Sequence, residues 1–454
     1  MPNVSFKTLG CRLNQAETAM IRSQFEAAGY DVVPFGRKCE VVVVHGCTVT
    51  QKAHRESLRL ARSAKRGKAA PFVVLAGCAA VAPGSGAEGT DDAGALCADL
   101  LANQVDKFSL PAILRQRLEA FQARDSDGCD EADPSGRETN RSAGIKRCRA
   151  SSPPASLPLP RFTTVRARVK VQDGCDCRCA YCIVPHVRGP STSRPFREIV
   201  DEVSRLGDAG FKEIILTGVN LGCYMDGTRR LVHLLDAIHK LDTVARIRLS
   251  SIEPGTSEMA VIDFMADAPK ICRHLHMPLQ SGHDGMLARM GRAYTVAGFR
   301  HAVDHALEKL GHIGLGTDLI TGLPGEDDEA FEATCRMALE LPFTNIHVFP
   351  YSKRPGTRAA TMPGQVPEAV RKERAKRLLK LGASAKKTFS AGCVGRQVSV
   401  LVEHAEGKGR GTGWTSEYVR ARVAGTGIAR NQVITGVAAR FERGLLQVDC
   451  RRQA

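Results

Sequence analysis

The chain has 454 residues, 43% of them hydrophobic, with 64 lysines and arginines against 48 acids for a formal charge of +16, and sixteen cysteines. That length and apolar content suit two or three packed domains and exclude a disordered chain. No run of about eighteen apolar residues occurs and MPNVSFKTLGCRLNQ has no apolar signal core, so a cytoplasmic protein with no membrane partner is expected, its cysteines serving metal or redox chemistry and its positive charge a polyanion such as nucleic acid.

Residues 1–118 alternate strand and helix signals. Apolar runs predict strands at Val4–Phe6, Val41–Val44 and Phe72–Ala76, and helices are expected over Thr18–Ala28 and His54–Lys65, the second with a basic outer face. This is the pattern of a small parallel α/β domain. A cysteine follows each strand: Cys11 in TLGCRLNQAE, Cys47 in VVVVHGCTVT and Cys78 in VVLAGCAA. A single buried thiol is ordinary packing. Parallel strands lie about 5 Å apart, however, so three cysteines at strand carboxyl ends can converge on one crevice. Residues 119–160 are rich in Asp, Ser, Arg and Pro and read as a linker, with Cys129 and Cys148 as incidental thiols.

In the segment 161–366, strands are predicted at Val165–Val171, Glu213–Thr217, Arg246–Ser250, Arg273–His276, Gly314–Ile320 and Asn345–Phe349, with helices between, such as Arg197–Ala209 and Glu326–Glu340. Six βα units give a partial barrel whose functional residues collect at the strand carboxyl ends. On the loop after the first strand, VQDGCDCRCAYCIVPHVR holds Cys175, Cys179 and Cys182 at C-x3-C-x2-C spacing. Three thiolates there can hold three irons of a four-iron four-sulfur cluster and leave the fourth open. A zinc site usually wants a second C-x2-C pair, which is not nearby, and a disulfide wants an oxidising compartment. Cys177 stands between the ligands as a spare or alternative thiol. The later strand ends are polar or glycine-rich: LTGVNLGCY, SSIEP, HLHMPLQSG and DLITGLPGE. The H-x-H pair His274 and His276 is read as barrel lining, since residues two apart on a strand share a face.

Residues 367–392 form a basic helix; VPEAVRKERAKRLLKLGASAKKTF carries eight lysines and arginines against two acids. Residues 393–454 alternate short strands with glycine-rich turns, as in a small β-barrel. Ten basic residues against five acids, with Trp414 and Tyr418 among Arg420 and Arg422, offer charge for phosphates and rings for stacking.

The cysteine loop, with Tyr181 before its last cysteine, resembles that of the radical S-adenosylmethionine enzymes, and QDGCDCRCAYCIVPHVRG is similar to the methylthiotransferases within them. TLGCRLNQAE, HGCTVT and AGCAA match that family's amino-terminal cysteine motifs, although His45-Gly46 replaces the frequent Asn-Thr and Ala79 a frequent aromatic. The resemblance covers nearly all of the chain outside the linker. It implies two 4Fe-4S clusters, one on Cys11, Cys47 and Cys78 and one on Cys175, Cys179 and Cys182; S-adenosylmethionine at Tyr181, Thr217, Gly218, Ser251, Glu253 and Gln280; and a TRAM-like barrel gripping RNA. It further implies a tRNA partner, a reducing electron donor and a sulfur source. GCRLNQAE, LSSIEP and HVFPYSKRPGT look most like the MtaB branch, which methylthiolates carbon 2 of N6-threonylcarbamoyladenosine beside the tRNA anticodon. The isopentenyl form of that adenosine and a ribosomal aspartate are the family's other targets. A reading from another class is a two-cluster electron carrier with an RNA-binding tail.

Overall fold

The computed structural model describes residues 2–66, 71–81, 97–115, 117, 158–407 and 409–450. They form two compact units, Met1–Thr48 with Lys52–Arg161 and Val49–Gln51 with Phe162–Ala454. Apart from 158–160, the expected linker, Cys129 and Cys148 included, lies outside the described residues.

The first unit is built on a parallel five-stranded sheet in the order β2-β1-β3-β4-β5, with β1 Asn3–Thr8, β2 Asp31–Val33, β3 Val41–Gly46, β4 Phe72–Gly77 and β5 Leu100–Ala102. Strands β3 and β4 are buried along their whole length. Their unbroken apolar runs follow from a parallel sheet covered on both faces. Val41, Val43 and Val74 meet Ile21 and Phe25 of helix α1 (Arg12–Ala27), while Val42, Val73 and Leu75 meet Ala61 of helix α2 (Gln51–Lys65). Helix α1 begins at Arg12, ahead of the expected Thr18. Its first two turns bury Leu13 and Ala16 but also the polar Asn14 and Glu17, which blurs the apolar stripe there.

In the second unit six strands, Arg166–Lys170, Glu213–Thr217, Arg246–Leu249, His274–His276, Gly314–Thr321 and Phe343–Pro350, run parallel. The first three and the last three form hydrogen-bonded trios. Bridges from Ile247 to Ile271 and from Ser251 to His276 join the trios into an open (β/α)6 barrel. The helix Glu368–Gly392 packs on the last strand, and Gly382 marks the crossing, because a Cβ there would stand 3.1 Å from Ile346 Cβ. Its charge is partly structural: Arg374 is buried, 2.7 Å from both Glu326 and Asp328.

The chain closes with a five-stranded barrel, Gln397–Gly407, Arg410–Thr415, Arg420–Ala424, Leu445–Asp449 and Val433–Glu442 in spatial order. It docks on the amino-terminal side of the core strands, opposite the strand ends that carry the cysteine loop. Gly314, which opens the fifth core strand, permits this; a Cβ there would lie 2.1 Å from the Glu417 carbonyl oxygen.

Trp414 and Tyr418 belong to this dock, where their expected role was RNA stacking. They stack on each other at 4.6 Å, with His274 5.0 Å from the Tyr418 ring and the Arg166 and Arg248 guanidinium groups over the pair. The Trp414 indole donates to Glu403 at 2.9 Å. The arginines that meet the rings come from the core strands, so their neighbours Arg420 and Arg422 in sequence were a misleading context. Arg420 is exposed, and Arg422 donates to Glu406 at 3.4 Å.

Candidate active site

In the first unit three turns at strand ends carry the three cysteines, and small residues let those turns touch. Gly10, at φ +103°, abuts Cys47; a Cβ there would sit 2.7 Å from Cys47 Cβ and 3.0 Å from its sulfur. Gly46 abuts Ala79, and a Cβ on it would fall 2.5 Å from Ala79 Cβ. The two departures from the family's motifs, at Gly46 and Ala79, therefore face each other as a matched small pair. Asn14 ties the turns together by donating to the carbonyls of Leu9 at 2.8 Å and Gly46 at 3.2 Å.

Cys11 is exposed and occupies the N-cap of α1 without a side-chain cap hydrogen bond, its sulfur lying 3.7 Å from Asn14 Oδ1. Cys47 and Cys78 are buried. The Cys47 amide donates to Ser57 Oγ at 3.1 Å, and Gln104 Nε2 donates to Cys78 Sγ at 3.4 Å. Behind the cysteines lies a fully buried charge pair, Lys107 to Glu17 at 2.7 Å, with His45 3.5 Å from the same carboxylate. Cys11, Cys47 and Cys78 thus lie on adjoining turns, a donor set that fits one iron-sulfur cluster.

In the second unit Gln172 shapes the cysteine loop. Its amide donates to the carbonyls of Asp173 and Gly174 and to Ser191 Oγ, and Arg188 pairs with Asp173 at 2.8 Å. Cys175, Cys177, Cys179 and Cys182 all carry free thiols. Burial pushes Cys182 up to about 12 and also raises Cys179. Cys177 is exposed and shares a hydrogen bond with Cys175 that pulls the Cys177 thiol down to about 6. Three of these sulfurs on one loop match the donor chemistry of a cluster with an open iron.

The other expected residues lie at the strand ends around the loop. Tyr181 accepts a hydrogen bond at its hydroxyl from Arg292, and Arg292 is ion-paired to Glu253. Burial raises the Glu253 carboxyl, a shift that Arg292 opposes. Thr217 is buried and its carbonyl receives Val171 N at 2.9 Å. The space beside Gly218 is taken by Gln172, whose side-chain oxygen would stand 2.9 Å from a Cβ there. This close approach of Gln172 is the local constraint that glycine meets. Ser251 bridges to His276. Gln280 has a left-handed backbone at φ +65°, a costly state for a non-glycine residue that marks functional positions, and it is pinned through Asp318 O and Ile320 N.

Further residues complete the site. Arg292 falls between helices and has no local signature. Asn220 is 2% exposed, and neither polar atom of its amide has a partner; Ser250 Oγ is likewise buried and unpaired. Each such group costs about 1–3 kcal/mol unless something meets it. At these strand ends they fit a bound polar cofactor. His276, read as barrel lining, instead meets Asp318 at 3.0 Å, and His347 meets the same carboxylate oxygen at 3.0 Å. These two contacts outweigh burial and hold Asp318 well below the usual carboxylate range.

Comparison with known proteins agrees with this geometry. The radical SAM superfamily model matches residues 169–338, and that of uncharacterized protein family UPF0004 matches residues 3–93. The chain is 33% identical to the threonylcarbamoyladenosine tRNA methylthiotransferase MtaB of Bacillus subtilis (strain 168), over 94% of this chain and 91% of that protein. It is 30% identical to the Thermotoga maritima protein of the same name, over 99% and 97%. A tRNA-2-methylthio-N(6)-dimethylallyladenosine synthase from Methylacidiphilum infernorum is 31% identical over 89% and 84%. Among solved structures, the radical S-adenosylmethionine methyltransferase TsrM of Kitasatospora setae, with cobalamin and a 4Fe-4S cluster bound, aligns at TM-score 0.53 and 16% identity over 79% of this chain and 74% of that one, a likeness of fold. No described helix is long and apolar enough to cross a membrane. On similarity that runs almost end to end, the chain belongs to the radical S-adenosylmethionine tRNA methylthiotransferase family and is an enzyme of that type, for which the family implies a 4Fe-4S cluster and S-adenosylmethionine.

Proposed function

We propose that this enzyme places a methylthio group on carbon 2 of N6-threonylcarbamoyladenosine next to the anticodon of tRNA, using two 4Fe-4S clusters. The observation that carries the reading is the pair of three-cysteine sets, one at the strand ends of each unit, in a chain whose full-length relatives include proteins named for this nucleoside.

An aromatic carbon–hydrogen bond has no usable acidity, so general base catalysis cannot open it. A cluster with S-adenosylmethionine would supply single-electron chemistry and hydrogen-atom abstraction, a second cluster would present the sulfur, and a second S-adenosylmethionine would supply its methyl group. Cys175, Cys179 and Cys182 would hold the first and Cys11, Cys47 and Cys78 the second. Arg292 fixes Tyr181 and Glu253 in one place beside the cysteine loop, and Gln172 keeps that loop in shape. Asn220, Ser250 and Gln280 offer hydrogen bonds to the cofactor's polar groups. The target base is in a loop, so presenting it requires little unpairing.

A second reading, the dimethylallyl form of the same adenosine, is favoured by the similarity to the Methylacidiphilum infernorum protein. Mass spectrometry of tRNA nucleosides from cells with and without the gene separates the two. Loss of the methylthio-threonylcarbamoyl nucleoside alone supports the first, and loss of the methylthio-dimethylallyl nucleoside alone supports the second. An electron donor and a sulfur source are required partners of either.

A further inference from the structure

Helix α2 carries five lysines and arginines against one acid. Lys52, Arg55, Arg59 and Arg62 follow one another at steps of three or four residues, and Arg66 extends the series just past the helix end. At 3.6 residues per turn these side chains share one face in a row about 20 Å long. All five are exposed, while Ser57 and Ala61 on the other face are buried. Arg59 is paired with Glu56 at 2.6 Å. The side chains of Lys52, Arg55, Arg62 and Arg66 make no ion pair with a described residue. A cavity of about 550 Å³ opens along the row, lined by Arg59, Arg62, Ser63 and Arg66.

Like charges three and four residues apart repel, so this row lowers the helix's own stability. A bound polyanion reverses that. We propose that the Lys52–Arg55–Arg59–Arg62–Arg66 row is a docking surface for the phosphate backbone of the RNA substrate. The inference rests on the proposed action on tRNA. Backbone contacts of this kind fix where an RNA lies without reading its sequence, which suits an enzyme whose selectivity resides in the modified base. An anionic bilayer is a poor occupant, because the helix's apolar residues are spent on the sheet and leave no apolar edge to enter lipid.

The test is the salt dependence of binding between full-length, cluster-loaded protein and the tRNA, comparing the unaltered chain with the Arg55→Gln/Arg62→Gln/Arg66→Gln variant. A Lys240→Gln/Lys309→Gln variant, which removes exposed charge from the second unit, serves as control. Each lost phosphate contact lowers the slope of log affinity against log salt by about 0.7–0.9, so the triple variant should lose about two to three from the slope, with at least about tenfold weaker binding at about 0.1 M salt. The control should keep the slope. The KM for tRNA should rise with kcat unchanged. An unaltered slope and affinity in the triple variant would overturn the docking surface while leaving the proposed reaction standing. If the unaltered protein fails to bind tRNA at all, both fall, and the nucleoside measurement above reports on the reaction independently.

Discussion

Arg248 and Glu213 form a fully buried ion pair at 2.9 Å, and the same guanidinium donates to the carbonyls of Thr415 at 3.0 Å and Ser416 at 3.1 Å. One side chain therefore joins the core strands to the terminal barrel. Arg246 also reaches Glu213, at 3.0 Å. Two buried arginines on one carboxylate explain how charge is tolerated there. Arg248→Met leaves Glu213 paired with Arg246 but strips the Thr415 and Ser416 carbonyls of their charged donor, so it should destabilise the chain by roughly 2–5 kcal/mol in denaturant titration. A loss below about 1 kcal/mol would contradict this account of the dock.

The same cluster sets a pH dependence. Burial alone would raise Glu213, but Arg248 and Arg246 outweigh it and hold the carboxyl far below its ordinary range. A carboxyl depressed in the folded state adds stability above its unfolded pKa of about 4.3, and that stability is lost as pH falls through the folded value. Glu213→Gln should therefore be less stable than the unaltered chain at pH 7, with the gap narrowing as the pH drops below about 4. A gap independent of pH would show that the ion pair is not its source.

Tyr418 should behave as a packing residue. Its ring lies between His274, Trp414 and Arg248, and its backbone is left-handed at φ +68°. Tyr418→Ala should cost about 2–4 kcal/mol of stability, whereas the exposed Arg420→Gln should leave stability within about 0.5 kcal/mol. Tyr418→Ala with full stability and weakened RNA binding would restore the stacking role.

Gln104 should tune the cluster expected on Cys11, Cys47 and Cys78. A donor to Cys78 Sγ stabilises the reduced, more negative cluster, and a differential of about 1 kcal/mol corresponds to roughly 40 mV for one electron. Gln104→Leu should shift that cluster's potential downward by about this amount in a potentiometric titration followed by electron paramagnetic resonance. An unchanged potential would mean that the contact is not made in the loaded protein.

The inner strands of the first sheet and all six of the barrel were legible because parallel strands buried on both faces are written as short apolar runs, as in Val41–Val44 and Glu213–Thr217, whereas the three-residue edge strands Asp31–Val33 and Leu100–Ala102, only partly buried, were missed. The cysteines were legible because their spacing is local. What stayed hidden depends on contacts between distant segments. Arg292 joins Tyr181 and Glu253 across more than a hundred residues of chain, and Asn220 stands out only when its unpaired burial is seen. The pair of departures at Gly46 and Ala79 looked independent in sequence and turned out to be one steric fit. Trp414 and Tyr418 misled because aromatic rings among arginines read alike at an RNA surface and at an internal dock.

The division of labour between the two cysteine sets is tested most directly by assaying 5′-deoxyadenosine and methylthiolated nucleoside together in anaerobic reactions with tRNA. The unaltered enzyme should form both and Cys175→Ala neither, while Cys47→Ala should retain 5′-deoxyadenosine formation and transfer no sulfur. Cys177→Ser, which changes the exposed thiol beside the ligands, should load iron normally and form both products. Sulfur transfer by Cys47→Ala, or 5′-deoxyadenosine from Cys175→Ala, would contradict the account.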